Sequence, residues 1–296
     1  MKKSIQRLLM FTISVPIIVA IILFLPHFDH LVLNIFIVIF TALGAVEFSK
    51  ILSQKINAIP VALAAILGAL PPAAMTMVIS FGVNPLLVPA VFAAAVLWLL
   101  MSGILSRDEA LASFVNRLAA GFAVLVYPSF LMSWLIILSR LAKNHDQEGS
   151  AGIIILAFVC TVFASDSTAW AVGNLFGRGN QGVIPVSPKK SVAGFIGAAF
   201  GSIVIGIGAV AIRPDIFTPL GKLSSVPFLS GALLCLLTGA AAALGDLAAS
   251  AIKRSSGVKD SGNLIPGRGG VLDSIDSIAF AAPVFYITFR LLFAGY

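Results

Sequence analysis

Long apolar runs separated by short polar segments make up most of this chain. Residues 56 to 106 contain no Asp, Glu, Lys or Arg. One helix of that length would be about 75 Å long at 1.5 Å per residue, more than twice the roughly 30 Å hydrocarbon core of a bilayer. The segment must therefore cross a membrane, turn and cross back, and Gly82, Asn84 and Pro85 provide the residues of a turn.

The same pattern predicts an all-α, polytopic membrane protein with about nine transmembrane helices. The second predicted span is short and ends at Glu47, and the last contains Pro283 and Arg290, so these two have the weakest apolar pattern. We divide the chain into an N-terminal transmembrane region of about five helices, 1–145, and a C-terminal transmembrane region, 146–296. The predicted spans cover residues 8–26, 31–47, 58–81, 85–105, 118–139, 151–171, 192–212, 227–251 and 277–295.

Composition and charge agree with this class. Hydrophobic residues form 59% of the 296 residues and charged residues 10%, with a mean hydropathy of +1.06, whereas soluble domains have about 25% charged residues. The first apolar run follows Lys2, Lys3 and Arg7, as in a signal peptide, but no small-x-small cleavage site follows it, so we expect it to remain as the first span.

The basic residues are distributed unevenly between the two sides of the predicted membrane. Fourteen of the 19 Lys and Arg residues fall on the side of the N-terminus, which places that terminus in the cytoplasm by the positive-inside rule. The net charge of +7 then reflects orientation and attraction to anionic lipids or substrates. We expect no nucleic-acid partner, because no basic stripe lies on a soluble domain.

Two polar segments on the predicted cytoplasmic side hold five of the 12 acidic residues and seven of the 19 Lys and Arg residues. The first begins near the end of the sixth span, continues into the loop after it, and includes Asp166, Ser187, Lys189 and Lys190. Because the chain has so few charges, their concentration on one membrane face indicates a functional site. The second segment, between the eighth and ninth spans, contributes Asp246, Ser250, Lys253, Arg254, Lys259, Asp260, Gly267, Arg268, Gly269, Gly270, Asp273 and Asp276.

Helical spacing relates several of these residues. Asp246, Ser250 and Lys253 are spaced i, i+4, i+7, which places them on one face of a helix continuing from the eighth span. Asp246 lies inside that span and Asp166 near the end of the sixth. An ionisable group at the centre of a span costs about 2.5–3.5 kcal/mol, so such residues usually face a cation or a polar cavity. The alternative is a structural ion pair, for example between Asp246 and Lys253 or Arg254 of its own helix.

Asp273 and Asp276 open the ninth span directly after a glycine-rich turn. One of them could cap the helix, but capping requires one acid and not a pair at i, i+3. The glycines between residues 267 and 270 allow close backbone approach to a ligand or a positive φ. With Asp246, the two acids offer hard oxygen ligands for Mg²⁺ beside substrate phosphates, and the Lys and Arg residues offer partners for phosphate.

Other features indicate structure more than chemistry. Gly197-x-x-x-Gly201 has the spacing of a helix-packing motif. Glu47 is the one notable acid of the first spans, and we expect a structural role for it. Cys160 and Cys235 fall inside predicted spans and are too few for a disulfide framework or a zinc site.

The C-terminal residues resemble a known family. They follow the order Ser250-x-Ile252-Lys253-Arg254-x₄-Lys259-Asp260-x-Gly262 and then Ile265-Pro266-Gly267-x-Gly269-Gly270-x-x-Asp273-x-x-Asp276. This order is similar to the signature of the phosphatidate cytidylyltransferases, or CDP-diacylglycerol synthases. The Asp166 segment and the run Ser187-Pro188-Lys189-Lys190-Ser191 resemble a second conserved region of that family. In span count, length and C-terminal position of the motifs, the resemblance extends over essentially the whole chain.

Three positions depart from the pattern of that family. Arg268 stands where the family usually has His, Ser274 where it usually has Arg, and Ala193 where it usually has Glu. Our hypothesis is that Arg268 supplies the positive charge that Ser274 lacks. No residue visibly replaces the Glu at position 193.

The resemblance implies an enzyme that transfers CMP from CTP to phosphatidic acid, giving CDP-diacylglycerol and pyrophosphate in phospholipid biosynthesis. It implies a catalytic region within 146–296, on the cytoplasmic side of a bacterial inner membrane. It also implies that Asp246, Asp273 and Asp276 bind Mg²⁺, with Lys253 and Arg254 as the other catalytic residues, and leaves open a second cation and a homodimer. The residues implied in substrate and phosphate binding are Asp166, Ser187, Lys189, Lys190, Ser250, Lys259, Gly267, Arg268, Gly269 and Gly270.

Two other classes stay open at this point. Polyprenol and phytol kinases also use CTP and span the membrane many times, but they transfer the terminal phosphate to an alcohol and release CDP. A non-catalytic paralogue or a transporter on the same scaffold would account for the three departures. Transporters often show matching halves with broken helices, and this chain shows no such internal repeat.

Overall fold

The computed structural model describes residues 3–104, 106, 111–144, 150–219 and 224–294. Within these ranges the chain forms helices and turns, with two isolated β-bridges and no β-strand. The predicted all-α fold class is therefore confirmed.

The helices are numbered in chain order. A π-helical segment, Leu125–Phe130, joins α5 to α6, and a 3₁₀ helix, Leu138–Asn144, follows α6. A second π-helical segment, Arg290–Ala294, follows α11. The α-helices are α1 (Lys3–Phe24), α2 (His27–Leu52), α3 (Val61–Phe81), α4 (Leu87–Met101), α5 (Phe114–Val124), α6 (Leu131–Ile137), α7 (Ser150–Phe176), α8 (Val192–Ile212), α9 (Pro214–Phe217), α10 (Pro227–Ser255) and α11 (Leu272–Phe289).

Apolar helices occupy all nine predicted span positions in the described part of the chain. The helix at the fourth position, Leu87–Met101, is a shorter apolar helix of 15 residues. The second and last predicted spans, which have the weakest apolar pattern in the sequence, correspond to helices that are long and apolar enough to cross a membrane. The number of membrane crossings stays a prediction. Seven segments are long and apolar enough to cross a membrane, namely His27–Leu52, Val61–Phe81, Phe114–Leu141, Ser150–Phe176, Val192–Ile212, Pro227–Ser255 and Leu272–Phe293.

Two compact units make up the structure. The first comprises Met1–Ile137 and Ile252–Ile275, and the second comprises Leu138–Ala251 and Asp276–Tyr296. Both α10 and α11 contain a unit boundary, so each of these helices contributes residues to both units. The predicted division of the chain at residue 145 falls outside the described residues and stays a prediction.

In the first unit, α3 contains two consecutive prolines, Pro71 and Pro72. Proline has no N–H, so the carbonyl groups of Leu67 and Gly68, four residues earlier, lack their helical donors. The buried Ser129 hydroxyl lies 3.0 Å from the Leu67 oxygen and 2.9 Å from the Gly68 oxygen. No water can satisfy such groups in the hydrocarbon of a bilayer. Ser129 therefore allows α3 to carry a proline pair within an apolar span.

Also in the first unit, α2 approaches both α3 and the first turn of α11 through glycine. A Cβ atom added to Gly68 would lie 3.1 Å from the backbone oxygen of Thr41. A Cβ atom added to Gly44 would lie 2.8 Å from the side chain of Ile275. Small residues of this kind let membrane helices pack closely, and here they bring α2 against the start of α11.

In the second unit, α8 packs against α7 and α10 through glycine. A Cβ atom at Gly197 would lie 2.7 Å from the backbone oxygen of Thr168. A Cβ atom at Gly201 would lie 2.8 Å from the side-chain Cγ2 of the same residue. The interpretation of Gly197-x-x-x-Gly201 as a packing motif is therefore confirmed. A Cβ atom at Gly231 of α10 would lie 2.5 Å from the Gly206 oxygen of α8, so these two helices also meet at their backbones.

The substitution Ser129→Ala should lower thermal stability, because the carbonyl groups of Leu67 and Gly68 would lose their donor. We expect a loss of about 1 kcal/mol, or a fall in Tm of about 2–4 °C, followed by tryptophan fluorescence of protein in nanodiscs. Thr76→Val is the matched control. It also removes a buried hydroxyl, but that hydroxyl bonds at 2.9 Å to the Pro72 oxygen, which already has its helical donor. An equal fall in Tm for both variants would contradict this account of α3.

Candidate active site

The segment between α10 and α11 contains a tight turn formed by its Pro and Gly residues. The Arg268 N–H donates to the Ile265 oxygen at 3.2 Å, closing a turn with Pro266 and Gly267 at its centre. Gly267 has a φ of 79°, and Pro followed by Gly with positive φ fits a type II turn. Ile265 and Gly269 then exchange two backbone hydrogen bonds, of 2.8 and 3.0 Å. The exposed Arg268 side chain therefore stands at a well-defined turn.

Asp273 lies in the first turn of α11, and its carboxylate accepts bonds from three residues in two other parts of the first unit, the end of α10 and the connecting segment. Lys253 Nζ lies 2.5 Å from Oδ1, while the N–H groups of Ser261 and Gly270 donate to Oδ2 at 2.9 and 3.0 Å. A Cβ atom at Gly269 would lie 2.6 Å from Oδ2, and the φ of 117° at this residue also favours glycine. Asp273 therefore does more than cap its own helix, because it joins the end of α10, the connecting segment and the start of α11.

Besides Arg268, three cations of this segment were predicted to act on phosphate, and they differ in their surroundings. Lys253 is buried and paired with Asp273. Arg254 is exposed and donates from Nη1 to the Val258 oxygen at 3.1 Å. Lys259 is exposed. Two of the three charges are therefore presented to solvent, while the third is neutralised by a carboxylate.

In the second unit, Asp246 of α10 forms an ion pair with Lys190. Lys190 Nζ lies 2.5 Å from Oδ2 of Asp246 and 5.8 Å from the centre of the Phe195 ring. Sequence reasoning left open an ion pair of Asp246 with Lys253 or Arg254 of its own helix. That alternative was wrong about the partner, because the Asp246 carboxylate pairs with Lys190, which lies in the segment that precedes α8.

The segment between α7 and α8 is folded so that Lys190 has a fixed position. The Gly182 N–H donates to the Pro188 oxygen at 3.0 Å, and the Lys190 N–H donates to the Ser187 oxygen at 3.0 Å. Ser191 then caps α8, since its hydroxyl accepts from the Gly194 N–H at 3.1 Å. Ser187 is half-buried and Lys189 is exposed.

The remaining predicted site residues of the second unit lie within helices. Asp166 is exposed in α7, and the prediction that this span ends at residue 171 was wrong, because the helix continues to Phe176. Ser250 is half-buried in α10. Asp276 is buried in α11, where its Oδ1 accepts from the Ser277 N–H at 2.7 Å.

Sequence reasoning gave Glu47 a structural role only and did not connect it with the polar segments. In the first unit its Oε2 accepts from the Ser261 hydroxyl at 3.0 Å and from the Leu272 N–H at 2.8 Å. The available signal was a lone acid at the end of an apolar span, since ionisable residues within spans are costly and often functional. Its partners could not be read from the sequence, because they lie more than 200 residues further along the chain.

The carboxylates of this chain offer the oxygen donors that Mg²⁺ prefers, and Mg²⁺ is often bound by one or two carboxylates together with substrate phosphates. Asp246 and Asp273 each fit that chemistry, and each holds a lysine in this structure. Among the described residues, no three Asp, Glu, His or Cys side chains form a group that could hold a metal ion. Asp246, Asp273 and Asp276 as a shared set of ligands therefore stay a prediction.

Comparison with other proteins shows several relatives of this chain. A phosphatidate cytidylyltransferase of Synechocystis is 40% identical over 151 residues, which cover 50% of this chain and 47% of the relative. One of Mycobacterium tuberculosis is 39% identical over 148 residues, covering 50% and 41%. An uncharacterized protein of Escherichia coli, YnbB, is 36% identical over 177 residues, covering 60% and 54%. The chain thus spans about half the length of these curated relatives.

A family-wide comparison covers much more of the chain. Residues 5–292 match the sequence model of the Cytidylyltransferase family. This range includes all but the chain ends of the two units and every residue that sequence reasoning assigned to the site. The resemblance drawn from the residues between Ser250 and Asp276 is thereby confirmed, and the chain belongs to the cytidylyltransferase family.

Proposed function

We propose that this protein transfers CMP from CTP to phosphatidic acid, forming CDP-diacylglycerol and releasing pyrophosphate. The observation that carries the proposal is the arrangement around Asp273, where the residues of the family pattern form one hydrogen-bonded group with Lys253 and the glycine-rich turn. The family match over residues 5–292 and the names of the Synechocystis and Mycobacterium relatives support the same activity.

The proposed reaction requires no general base. A phosphomonoester is mostly dianionic at pH 7, because its second pKa is about 6. A phosphate oxygen of phosphatidic acid attacks the α-phosphorus of CTP, the bond from that phosphorus to the β-phosphate oxygen breaks, and pyrophosphate leaves with the electron pair. The main obstacle is the repulsion between two anions. Cationic side chains placed around the phosphates lower that barrier most directly.

The exposed cations of the first unit suit contacts with phosphate. Arg254 and Lys259 hold their charges in solvent, and Arg268 stands at the tip of the turn closed by Ile265. Because the glycines of this turn have no side chain, a ligand can approach their backbone atoms closely. We assign these residues, with Gly267, Gly269 and Gly270, to binding of substrate phosphates.

The second unit supplies a further set of polar groups. Lys190 is held by its ion pair with Asp246, and Lys189 beside it is exposed. We assign Asp166, Ser187, Lys189, Lys190 and Ser250 to binding of the nucleotide or the lipid phosphate. A substrate phosphate could take the place of the Asp246 carboxylate as the partner of Lys190, since both are anions of similar hydrogen-bonding geometry.

Mg²⁺ is the proposed cofactor, with Asp246, Asp273 and Asp276 as the candidate ligands. When bound, the ion would polarise phosphoryl oxygens and neutralise charge on the leaving pyrophosphate. Lys253 already neutralises Asp273 in this structure. Its ammonium group would be released toward substrate phosphate when the carboxylate takes a metal ion.

Asp273→Asn should lower the rate of CDP-diacylglycerol formation by about 100-fold or more, because the site loses an ionic ligand. The assay uses purified protein, CTP and phosphatidic acid in mixed micelles, with a Mg²⁺ titration. Asp215→Asn is the matched control. That acid is exposed and paired with Arg213, in a segment predicted to lie on the other side of the membrane from the assigned site residues, and the variant should retain wild-type activity. Equal activity of the two variants would contradict the role of Asp273.

Arg268→Ala should also lower activity strongly if Arg268 supplies the charge that Ser274 lacks. We expect about a 10-fold to 100-fold loss, typical of removing a charged hydrogen bond of about 1.5–3 kcal/mol. The second change Ser274→Arg, which restores the usual family residue, should recover much of that loss. Near-normal activity of Arg268→Ala alone, measured in the same assay, would exclude the compensation.

We further propose that the protein is a multi-pass protein of a bacterial inner membrane with its active site facing the cytoplasm. The named relatives are bacterial, and seven helical segments in the described part of the chain are long and apolar enough to cross a membrane. The positive-inside rule places the segment after α10 in the cytoplasm and the segment after α8 outside.

Cysteine labelling tests this orientation. In a variant with Cys160 and Cys235 replaced by Ala, a single cysteine is introduced at the exposed Asn263 or the exposed Thr218. A membrane-impermeant maleimide should label Thr218→Cys in intact cells, and Asn263→Cys only after the cells are permeabilised. Labelling of Asn263→Cys from outside would contradict the proposed topology.

A further inference from the structure

Glu47 is a buried carboxylate on α2, with 8% of its surface exposed. It lies in an apolar helix of the N-terminal part of the chain, where the sequence offers almost no other chemistry. Its two hydrogen bonds reach Ser261 of the polar segment between α10 and α11 and Leu272 at the start of α11. A charge that is costly to bury is thus kept where α2 meets these residues.

The backbone of the polar segment is shaped around this carboxylate. A Cβ atom at Gly262 would lie 2.6 Å from Oε1 of Glu47, and a Cβ atom at Gly270 would overlap Oε2. Any larger residue at these two positions would displace the carboxylate or the backbone. Two glycines of the family pattern therefore serve to admit Glu47.

The first hydrogen bond of Glu47 acts on the start of α11. Leu272 is the first residue of α11. Its backbone N–H is one of those at the N-terminal end of a helix that have no acceptor within the helix. Glu47 Oε2 accepts this N–H at 2.8 Å, and an anion at this end of a helix is favourable. Glu47 therefore caps α11 from a different helix, directly beside Asp273.

The second hydrogen bond acts through Ser261. The Ser261 hydroxyl donates to Glu47 at 3.0 Å and accepts from the Asp273 N–H at 3.3 Å. The Ser261 N–H in turn donates to Oδ2 of Asp273 at 2.9 Å. Because the carboxylate of Glu47 can only accept, it fixes the direction of the hydroxyl hydrogen, and the hydroxyl oxygen then faces Asp273.

We propose that Glu47 is a positioning residue for the active site, which sets the place and orientation of the Asp273 carboxylate through Leu272 and Ser261. The proposal rests on the proposed function for the role of Asp273. It assigns Glu47 no contact with substrate. Residues that orient a ligand-binding carboxylate typically change activity or metal affinity about 10-fold to 100-fold when they are removed.

The test compares Glu47→Ala with Glu47→Gln and Ser49→Ala. Both donors to Glu47 are neutral and share one oxygen, so the amide oxygen of Gln can accept both bonds, and Glu47→Gln should retain most of the activity. Ser49→Ala is the structural control, because Ser49 lies on the same helix, is buried and bonds to the Ile59 oxygen at 2.7 Å. This control removes a tertiary hydrogen bond of α2 without touching the polar segment.

Two readouts are measured on the full-length protein in nanodiscs. Hydrogen exchange of the backbone amides of residues 256–275 should become about 10-fold faster or more in Glu47→Ala and remain near wild type in Glu47→Gln and Ser49→Ala. In the activity assay, Glu47→Ala should raise the Mg²⁺ concentration for half-maximal rate by about 10-fold, with little change in the KM for CTP. Ser261→Ala combined with Glu47→Ala should be no worse than the more severe single variant.

Unchanged exchange of residues 256–275 in Glu47→Ala would overturn the proposal, as would equal effects of Glu47→Ala and Ser49→Ala. A loss of activity that lowers only the maximal rate, with the Mg²⁺ dependence intact, would also overturn it. The exchange measurement does not require catalysis. A wild-type protein that forms no CDP-diacylglycerol would therefore count against the proposed function, while the exchange result would still decide the role of Glu47.

Discussion

The carboxylate of Asp273 is bonded on both oxygens, to the Lys253 ammonium on one side and to the Ser261 and Gly270 amides on the other. A buried lysine without such a partner would be strongly unfavourable, and so would a buried carboxylate. In the observed arrangement of the polar segment between α10 and α11, both charges are compensated. That arrangement also fixes the glycine-rich turn, because a Cβ atom at Gly269 would lie 2.6 Å from the carboxylate. The same contacts that stabilise the segment hold its proposed catalytic groups in place.

The membrane imposes the second condition on this fold, since backbone groups at membrane depth must find partners within the protein. In α3, Pro71 and Pro72 leave two carbonyl groups without a helical N–H donor. The Ser129 hydroxyl is the hydrogen-bond partner of both carbonyl groups. The hydrophobic effect does not drive helices together in lipid, because lipid tails are as apolar as the side chains. Helices associate instead through close van der Waals contact between small residues. Glycines on α8 therefore let it approach α7 and α10 at backbone distance. Polar side chains are few under these conditions, and most of those that remain in the described helices have a definite hydrogen-bonding role.

The sequence was sufficient for the fold class, for the positions of the apolar helices and for the family. Those features depend on local periodicity, on the length of apolar runs and on the spacing between Ser250 and Asp276. Pairing between distant residues was not predictable in the same way. The alternative left open for Asp246, an ion pair within its own helix, named the wrong partner, because Asp246 pairs with Lys190. The contact of Glu47 with Ser261 and Leu272 was missed. Local spacing carries no information about which helices lie side by side, and this decides where a lone buried charge finds its partner. The ligands of Mg²⁺ stay a prediction for the same reason.

The most direct measurement of the proposed reaction follows the two ends of the CTP phosphate chain separately. Purified protein with phosphatidic acid and Mg²⁺ is supplied with CTP labelled either at the α-phosphate or at the γ-phosphate, and the lipid and aqueous products are separated. Cytidylyl transfer predicts that the α-label appears in the lipid and the γ-label in pyrophosphate. Transfer of the γ-label to the lipid would indicate a kinase, and label in neither lipid product, with the protein folded, would indicate a family member without this activity. Either of those results would contradict cytidylyl transfer as the activity of this protein.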